Sequence, residues 1–271
     1  PRTYLRLSKT GCSHNYGISR MEIESYNMNI LSNIINSKHQ QQPLLVILID
    51  PNKPEAYTKL LPYLHEVKII FVGGSTGDSI EPCIAALRQH TTATLILFPG
   101  NIEQFSPNAD ALLFLSLLNA STADILIKPH IKIAQQVIQS GIETIPMGYI
   151  LIDGGRKSSV EIVSNCRPIP QTEIEKITST AVAGQLLGKQ LIYLEAGSGA
   201  KKPVSIDIIH AVHQQLRVPL IVGGGIQTPQ AMIQAFDAGA DIVVIGNHFE
   251  QHPEELSLFI HSLSNYEHNH S

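Results

Sequence analysis

The chain has 271 residues, with 19 Lys+Arg against 23 Asp+Glu for a formal net charge of −4, and only 15% of it is charged. A hydrophobic share of 43% is ample for a large core and excludes an intrinsically disordered chain. The slightly acidic balance, without a basic block, argues against nucleic acid as a partner. Three widely spaced cysteines, Cys12, Cys83 and Cys166, form no CxxC pair, which excludes a disulfide scaffold and a zinc site and fits a reduced, cytoplasmic setting.

In chain order, residues 1–25 are polar and unpatterned and lack the apolar core of a signal peptide, so they read as a disordered leader outside the fold. Met21 or Met28 would make a more natural start. A helix is expected over about 26–37. Eight apolar runs then follow at a steady beat: Leu44–Ile49, Val67–Val72, Thr94–Phe98, Ala111–Leu115, Thr144–Ile152, Leu191–Leu194, Pro219–Val222 and Asp241–Ile245. Amphipathic helical patterns occupy about 54–64, 78–90, 122–139, 172–187, 205–216, 228–237 and 253–263. Thr122, Thr172, Ser205 and Thr228 stand at N-cap positions, and Pro229 at a first helical position. Residues 99–110 carry Pro99, Gly100 and Pro107 and are too short for a full helix, so the third helix is expected to be missing or replaced by an irregular segment. Apolar strands alternating with helices predict a parallel sheet buried on both faces. Eight of them fit a single (β/α)8 TIM barrel over 26–265, followed by a polar tail over 266–271. No apolar stretch approaches the ~18 residues that span a bilayer.

In such a barrel the site lies at the carboxyl ends of the strands. Three glycine loops stand there: Ala196-Gly197-Ser198-Gly199 after strand six, Gly223-Gly224-Gly225 after strand seven and Gly246-Asn247 after strand eight. Backbone N–H groups freed by glycine bind a phosphate, and barrels place such sites after strands seven and eight; ordinary turn chemistry is the alternative. Asp50 ends the first strand, where an unpaired carboxylate is costly. It either caps the helix near Pro54 with Lys53 as countercharge, or binds a hard cation with Ser75 or Thr76 and a substrate phosphate completing the shell, as Mg²⁺ prefers. Glu195 either pairs with Lys201 or Lys202 or accepts a substrate hydroxyl and helps remove its proton. Tyr149, in the long fifth strand, either packs or orients the same substrate.

Taken in order over residues 44–250, LIDPNK, FVGGST, LFPGN, GYILIDGG, YLEAGSGA, VGGGI and VIGN resemble the geranylgeranylglyceryl phosphate synthase family, which includes bacterial heptaprenylglyceryl phosphate synthases. The LIDP form and the long 153–171 loop look like that family's second group. The resemblance implies a Mg²⁺-dependent prenyltransferase of ether-lipid synthesis. It would move a geranylgeranyl group from its diphosphate to the 3-hydroxyl of sn-glycerol 1-phosphate. Asp50 and Ser75 match the metal positions. Tyr193, Leu194, Glu195, Ala196, Gly197, Ser198 and Gly199 match the glycerol phosphate loop, with Glu195 at the hydroxyl. Gly224, Gly225, Gly246 and Asn247 match the remaining phosphate contacts, and Tyr149 matches a tyrosine approaching the glycerol phosphate. Many members carry a lysine where this chain has Leu48, so Lys53 is expected to supply that charge beside the diphosphate as a catalytic group. Phe98, Phe105 and Phe114 are expected to line an apolar groove for the prenyl tail. The resemblance also implies a homo-oligomer, dimer or hexamer, and product release is expected to bring transient membrane contact. The competing readings are another phosphate-binding barrel enzyme and a non-catalytic phosphate-binding barrel.

Overall fold

The computed structural model describes residues 29–74, 80–101 and 104–270; the expected leader over 1–25 lies outside them. Eight parallel strands close in chain order into a barrel: β1 (Leu44–Ile49), β2 (Ile69–Val72), β3 (Thr94–Leu97), β4 (Ala111–Leu117), β5 (Glu143–Leu151), β6 (Leu191–Glu195), β7 (Leu220–Gly223) and β8 (Ile242–Ile245). The last strand returns to the first, with Leu44 beside Ile242 and Ile47 beside Ile245.

Strand periodicity sorts the side chains into two cores. Leu45, Ile47, Ile49, Ile192 and Leu194 pack outward against the helices. Val46, Phe71, Met147, Tyr149, Tyr193, Ile221 and Val244 fill the barrel interior. The same alternation sends Glu195, two residues beyond Tyr193, to the inner face at the top. The N-terminal helix α1 (Ile30–His39) stops the other end: Leu31 and Ile34 join the inner core. Its first N–H groups, from Ile30 and Leu31, donate to the Glu143 carboxylate at 2.8 and 2.9 Å, a negative charge placed where the helix dipole favours one.

Helices follow the other strands, but none joins β3 to β4 among the described residues, in agreement with the expected loss of the third helix. After β1 comes α2 (Pro54–Leu60), prolonged by a 3₁₀ turn over Leu61–Glu66, and after β2 comes α3 (Glu81–His90). The single helix expected over 122–139 is two, α4 (Ala123–Leu126) and α5 (Lys128–Ser140). Pro129 supplies no N–H and crowds the turn before it, so the helix restarts there. A short helix, α6 (Ser159–Ser164), lies inside the 153–171 loop and was not foreseen; Ser158 caps it, accepting the Glu161 N–H. Next, α7 (Ile174–Leu186) starts from Glu173 rather than Thr172 and without a side-chain cap. Both α8 (Ile206–His213) and α9 (Pro229–Asp237) carry the expected Ser205 and Thr228 caps. Beyond β8 stand α10 (Asn247–Gln251) and α11 (Leu256–His270). The expected polar tail over 266–271 is corrected as far as His270. The apolar stripe Phe259, Leu263, Tyr266 continues the helical spacing, and Tyr266 stacks on Phe236 at 6.1 Å. No helix of the described residues is long and apolar enough to cross a membrane.

Candidate active site

The top of the barrel holds one cavity of about 470 Å³. Asp50 and Lys53 stand on one side of it and Ser198, Gly199, Gly224, Gly225 and Asn247 on another. A third, apolar arm is lined by Phe114, Ile125, Pro129, His130 and Ile133, from β4, α4 and α5.

The glycine loops take their shape from backbone that only glycine adopts freely. Gly197, Gly199, Gly224 and Gly225 all have positive φ, from +68° to +99°. A Cβ on Gly224 would lie 2.5 Å from Glu195 Oε1 and 2.8 Å from the Gly197 nitrogen, so the loops after β6 and β7 touch backbone to backbone. Ser198 ties in the third loop, its hydroxyl donating to Asn247 Oδ1 at 2.8 Å. The three segments, separated by up to 50 residues in sequence, therefore form one cradle. A cation was missed in the sequence: Arg156, from the loop after β5, lays its guanidinium against Gly199, 3.2 Å from where a Cβ would be.

Glu195 is buried among neutral donors. Its Oε1 accepts the Gly197 N–H at 2.6 Å, and the Tyr193 hydroxyl donates to the carboxylate. Its hydrogen bonds thus come from the barrel interior and its own loop, and no ion pair to Lys201 or Lys202 forms among the described residues. Burial raises the Glu195 pKa above the ordinary carboxylate range, and the Tyr193 and Gly197 hydrogen bonds draw part of that rise back. Tyr149 meets Tyr193 edge to face at 5.2 Å, and both rings lie near Phe98, at 6.0 and 5.7 Å. Burial pushes both phenols well above their usual pKa, so they remain neutral hydrogen-bonding groups. Leu194 and Ala196, also expected in the glycerol phosphate loop, point into the outer core instead and do not line the cavity.

On the opposite side Asp50 forms a turn rather than a helix cap. Its Oδ1 accepts the Asn52 N–H at 3.0 Å, while α2 has Lys53 at its N-cap position and no side-chain cap. Gly74 packs directly on this carboxylate: a Cβ there would stand 2.7 Å from Asp50 Oδ1. Buried Gln104, which the sequence did not single out, holds the two neighbouring loops together by accepting the N–H groups of Gly74 and Gly100. Ser75 and Thr76 lie outside the described residues. Lys53 is clamped by Glu250 of α10 at 2.7 and 2.9 Å and stands 3.7 Å from Asp50 Oδ2. Leu48 lines the cavity on this side.

The apolar arm is lined by Phe98 and Phe114, as expected, whereas Phe105 packs against the outer core and does not reach it. His130 lies against Phe114 with ring centroids 4.3 Å apart and planes tilted by 60°, and burial lowers its pKa, which favours the uncharged imidazole.

The chain is similar to known proteins. A chain from Zunongwangia profunda named geranylgeranylglyceryl phosphate synthase is 47% identical over 82% of this chain and 97% of its own length. One of the same name from Thermococcus kodakarensis is 39% identical over 80% of this chain and 88% of its own. The crystal structure of (S)-3-O-geranylgeranylglyceryl phosphate synthase from Thermoplasma acidophilum, in complex with sn-glycerol-1-phosphate, superposes with a TM-score of 0.81 at 32% identity, covering 88% of this chain and 99% of that one. A tryptophan synthase α-subunit from Pyrococcus furiosus, at 13% identity and a TM-score of 0.51, shares the fold alone. The PcrB family model matches residues 34–262, and with it this chain belongs to the PcrB family.

Proposed function

We propose that the protein is a geranylgeranylglyceryl phosphate synthase, which transfers a prenyl group from its diphosphate to the 3-hydroxyl of sn-glycerol 1-phosphate. The observation that carries this reading is the placement of a buried glutamate beside a four-glycine phosphate cradle, across one cavity from an aspartate and next to an apolar arm. In the transfer, the glycerol oxygen forms a bond to the allylic carbon, the bond from that carbon to the diphosphate oxygen breaks, and the hydroxyl proton passes to Glu195. The cradle and Arg156 hold the phosphate, while Glu195 and the Tyr149–Tyr193 pair orient the glycerol. Fixing that geometry supplies most of the advantage over solution. The uncharged wall along Phe114 and His130 takes the prenyl tail and keeps water from the developing cation.

The Asp50 carboxylate suits a hard cation: it is a strand-end oxygen donor, half-buried, with Gly74 keeping the space beside it clear of side chain. Mg²⁺ held there, with Ser75 as a second oxygen donor, would neutralise the departing diphosphate. Lys53 adds a fixed positive charge on the same side. We further propose that the protein works as a homo-oligomer, dimer or hexamer, in the cytoplasm.

The fixed geometry of cradle and glutamate accepts one hand of glycerol phosphate. Offered sn-glycerol 1-phosphate and sn-glycerol 3-phosphate in competition, the enzyme is expected to prenylate the first by a margin of about 10²-fold or more, since a misplaced hydroxyl cannot pass its proton to Glu195. Equal use of the two would contradict the assignment of the cradle.

A further inference from the structure

Lys53 stands between two carboxylates and is shared unequally. Its ammonium is bidentate to Glu250, at 2.7 and 2.9 Å, but 3.7 Å from Asp50 Oδ2, beyond hydrogen-bond length. Asp50 Oδ1 is meanwhile engaged by the Asn52 N–H. Glu250 is the less exposed of the two acids and comes from α10, whose first residue, Asn247, is tied to the phosphate cradle through Ser198. A lysine on a flexible four-carbon stem takes whichever partner holds it best. With Asp50 three residues before it on the same turn, Lys53 would close on that carboxylate if Glu250 were neutral.

We propose that Glu250 is a positioning residue: it draws the Lys53 ammonium off Asp50 and so keeps Asp50 Oδ2 available to a divalent cation. An ammonium resting on Asp50 would compete with the cation for the same oxygen. One three-residue separation thus serves two opposed needs, a positive charge close to the departing diphosphate and a carboxylate not neutralised by it. This inference rests on the reading of Asp50 as the cation ligand, which D50N tests separately.

The test reads cation binding without turnover. Mn²⁺ binding to the full chain in the presence of inorganic diphosphate is followed by electron paramagnetic resonance. D50N is expected to weaken binding strongly; if it does not, the cation assignment fails, and this inference with it. Given a D50N effect, Glu250→Gln is expected to weaken Mn²⁺ binding by about three- to tenfold, the reach of a partly exposed ion pair that has changed partner. The decisive variant is K53M/E250Q. With the competing ammonium gone, Mn²⁺ affinity is expected to return to within about twofold of the unaltered protein. K53M alone is expected to bind Mn²⁺ no more weakly than the unaltered protein. An unchanged affinity in Glu250→Gln, or a K53M/E250Q variant no better than Glu250→Gln, would overturn the proposal. So would loss of sn-glycerol 1-phosphate binding in Glu250→Gln, which would make Glu250 a support for the cradle instead.

Discussion

Replacement of Asp50 by alanine is expected to lower turnover by about three orders of magnitude while leaving sn-glycerol 1-phosphate affinity within a few fold of its original value. The size follows from what is lost: fixed charge stabilisation of a leaving group is worth about 10²–10³ for a single donor, and here the whole cation would go. The selectivity follows from the architecture. Asp50 belongs to the β1 end and touches Asn52 and Gly74, whereas the cradle is built from the β6, β7 and β8 loops joined by the Gly224–Gly197 and Ser198–Asn247 contacts. Calorimetry with glycerol phosphate and a turnover assay with geranylgeranyl diphosphate separate the two effects. A variant that loses glycerol phosphate affinity, or an enzyme that works fully in EDTA, would remove Asp50 from the cation site.

Glu195→Gln carries the second large effect. Glutamine keeps the length and one acceptor oxygen but loses the negative charge, so the Gly197 N–H and the Tyr193 hydroxyl keep a partner while the proton acceptor is gone. Turnover is expected to fall by about 10²–10⁴, the range of general acid–base help. Glycerol phosphate binding is expected to weaken by only about 1–2 kcal/mol, the value of one charged hydrogen bond. The pH profile distinguishes this role from a packing role. Burial raises the Glu195 pKa, so the ionised form that accepts a proton appears only above the ordinary carboxylate range. The acid limb of turnover is therefore expected above the usual Glu pKa in the unaltered enzyme and to vanish in Glu195→Gln. The same raised pKa works against stability at neutral pH: the folded state favours the protonated carboxyl, and its ionisation above the folded pKa costs free energy. Relief of that cost would leave Glu195→Gln at least as stable as the unaltered protein. Surviving turnover together with a drop in melting temperature would make Glu195 structural.

The sequence carried the barrel well because its signals are local. Runs such as Leu44–Ile49 and Ile242–Ile245 are apolar on both faces, and Ser205, Thr228 and Pro229 mark helix starts through their own backbone chemistry. What failed to show were features set by tertiary contact. The helical 266–270 segment is held by Tyr266 on Phe236, thirty residues away. The site divides in the same manner. Glu195 and the glycine loops stand out because strand ends and positive-φ positions are readable from spacing. Glu250, Gln104 and Arg156 do not: each acts across loops, on Lys53, on Gly74 and Gly100, and on Gly199, and nothing in their neighbourhoods along the chain marks the partner. An acidic residue three places after a strand-eight Gly-Asn, opposite a lysine three places after a strand-one aspartate, is a pattern that only the closed barrel explains.

The central claim is that the glycerol 3-hydroxyl of sn-glycerol 1-phosphate, held in the cradle, displaces diphosphate from an allylic carbon. Incubation of the full chain with sn-glycerol 1-phosphate and geranylgeranyl diphosphate, followed by mass analysis of the lipid product, tests it most directly. The account predicts a single prenyl ether of glycerol phosphate, with one diphosphate released per ether formed. Free geranylgeraniol alone, or both substrates recovered intact, would contradict it.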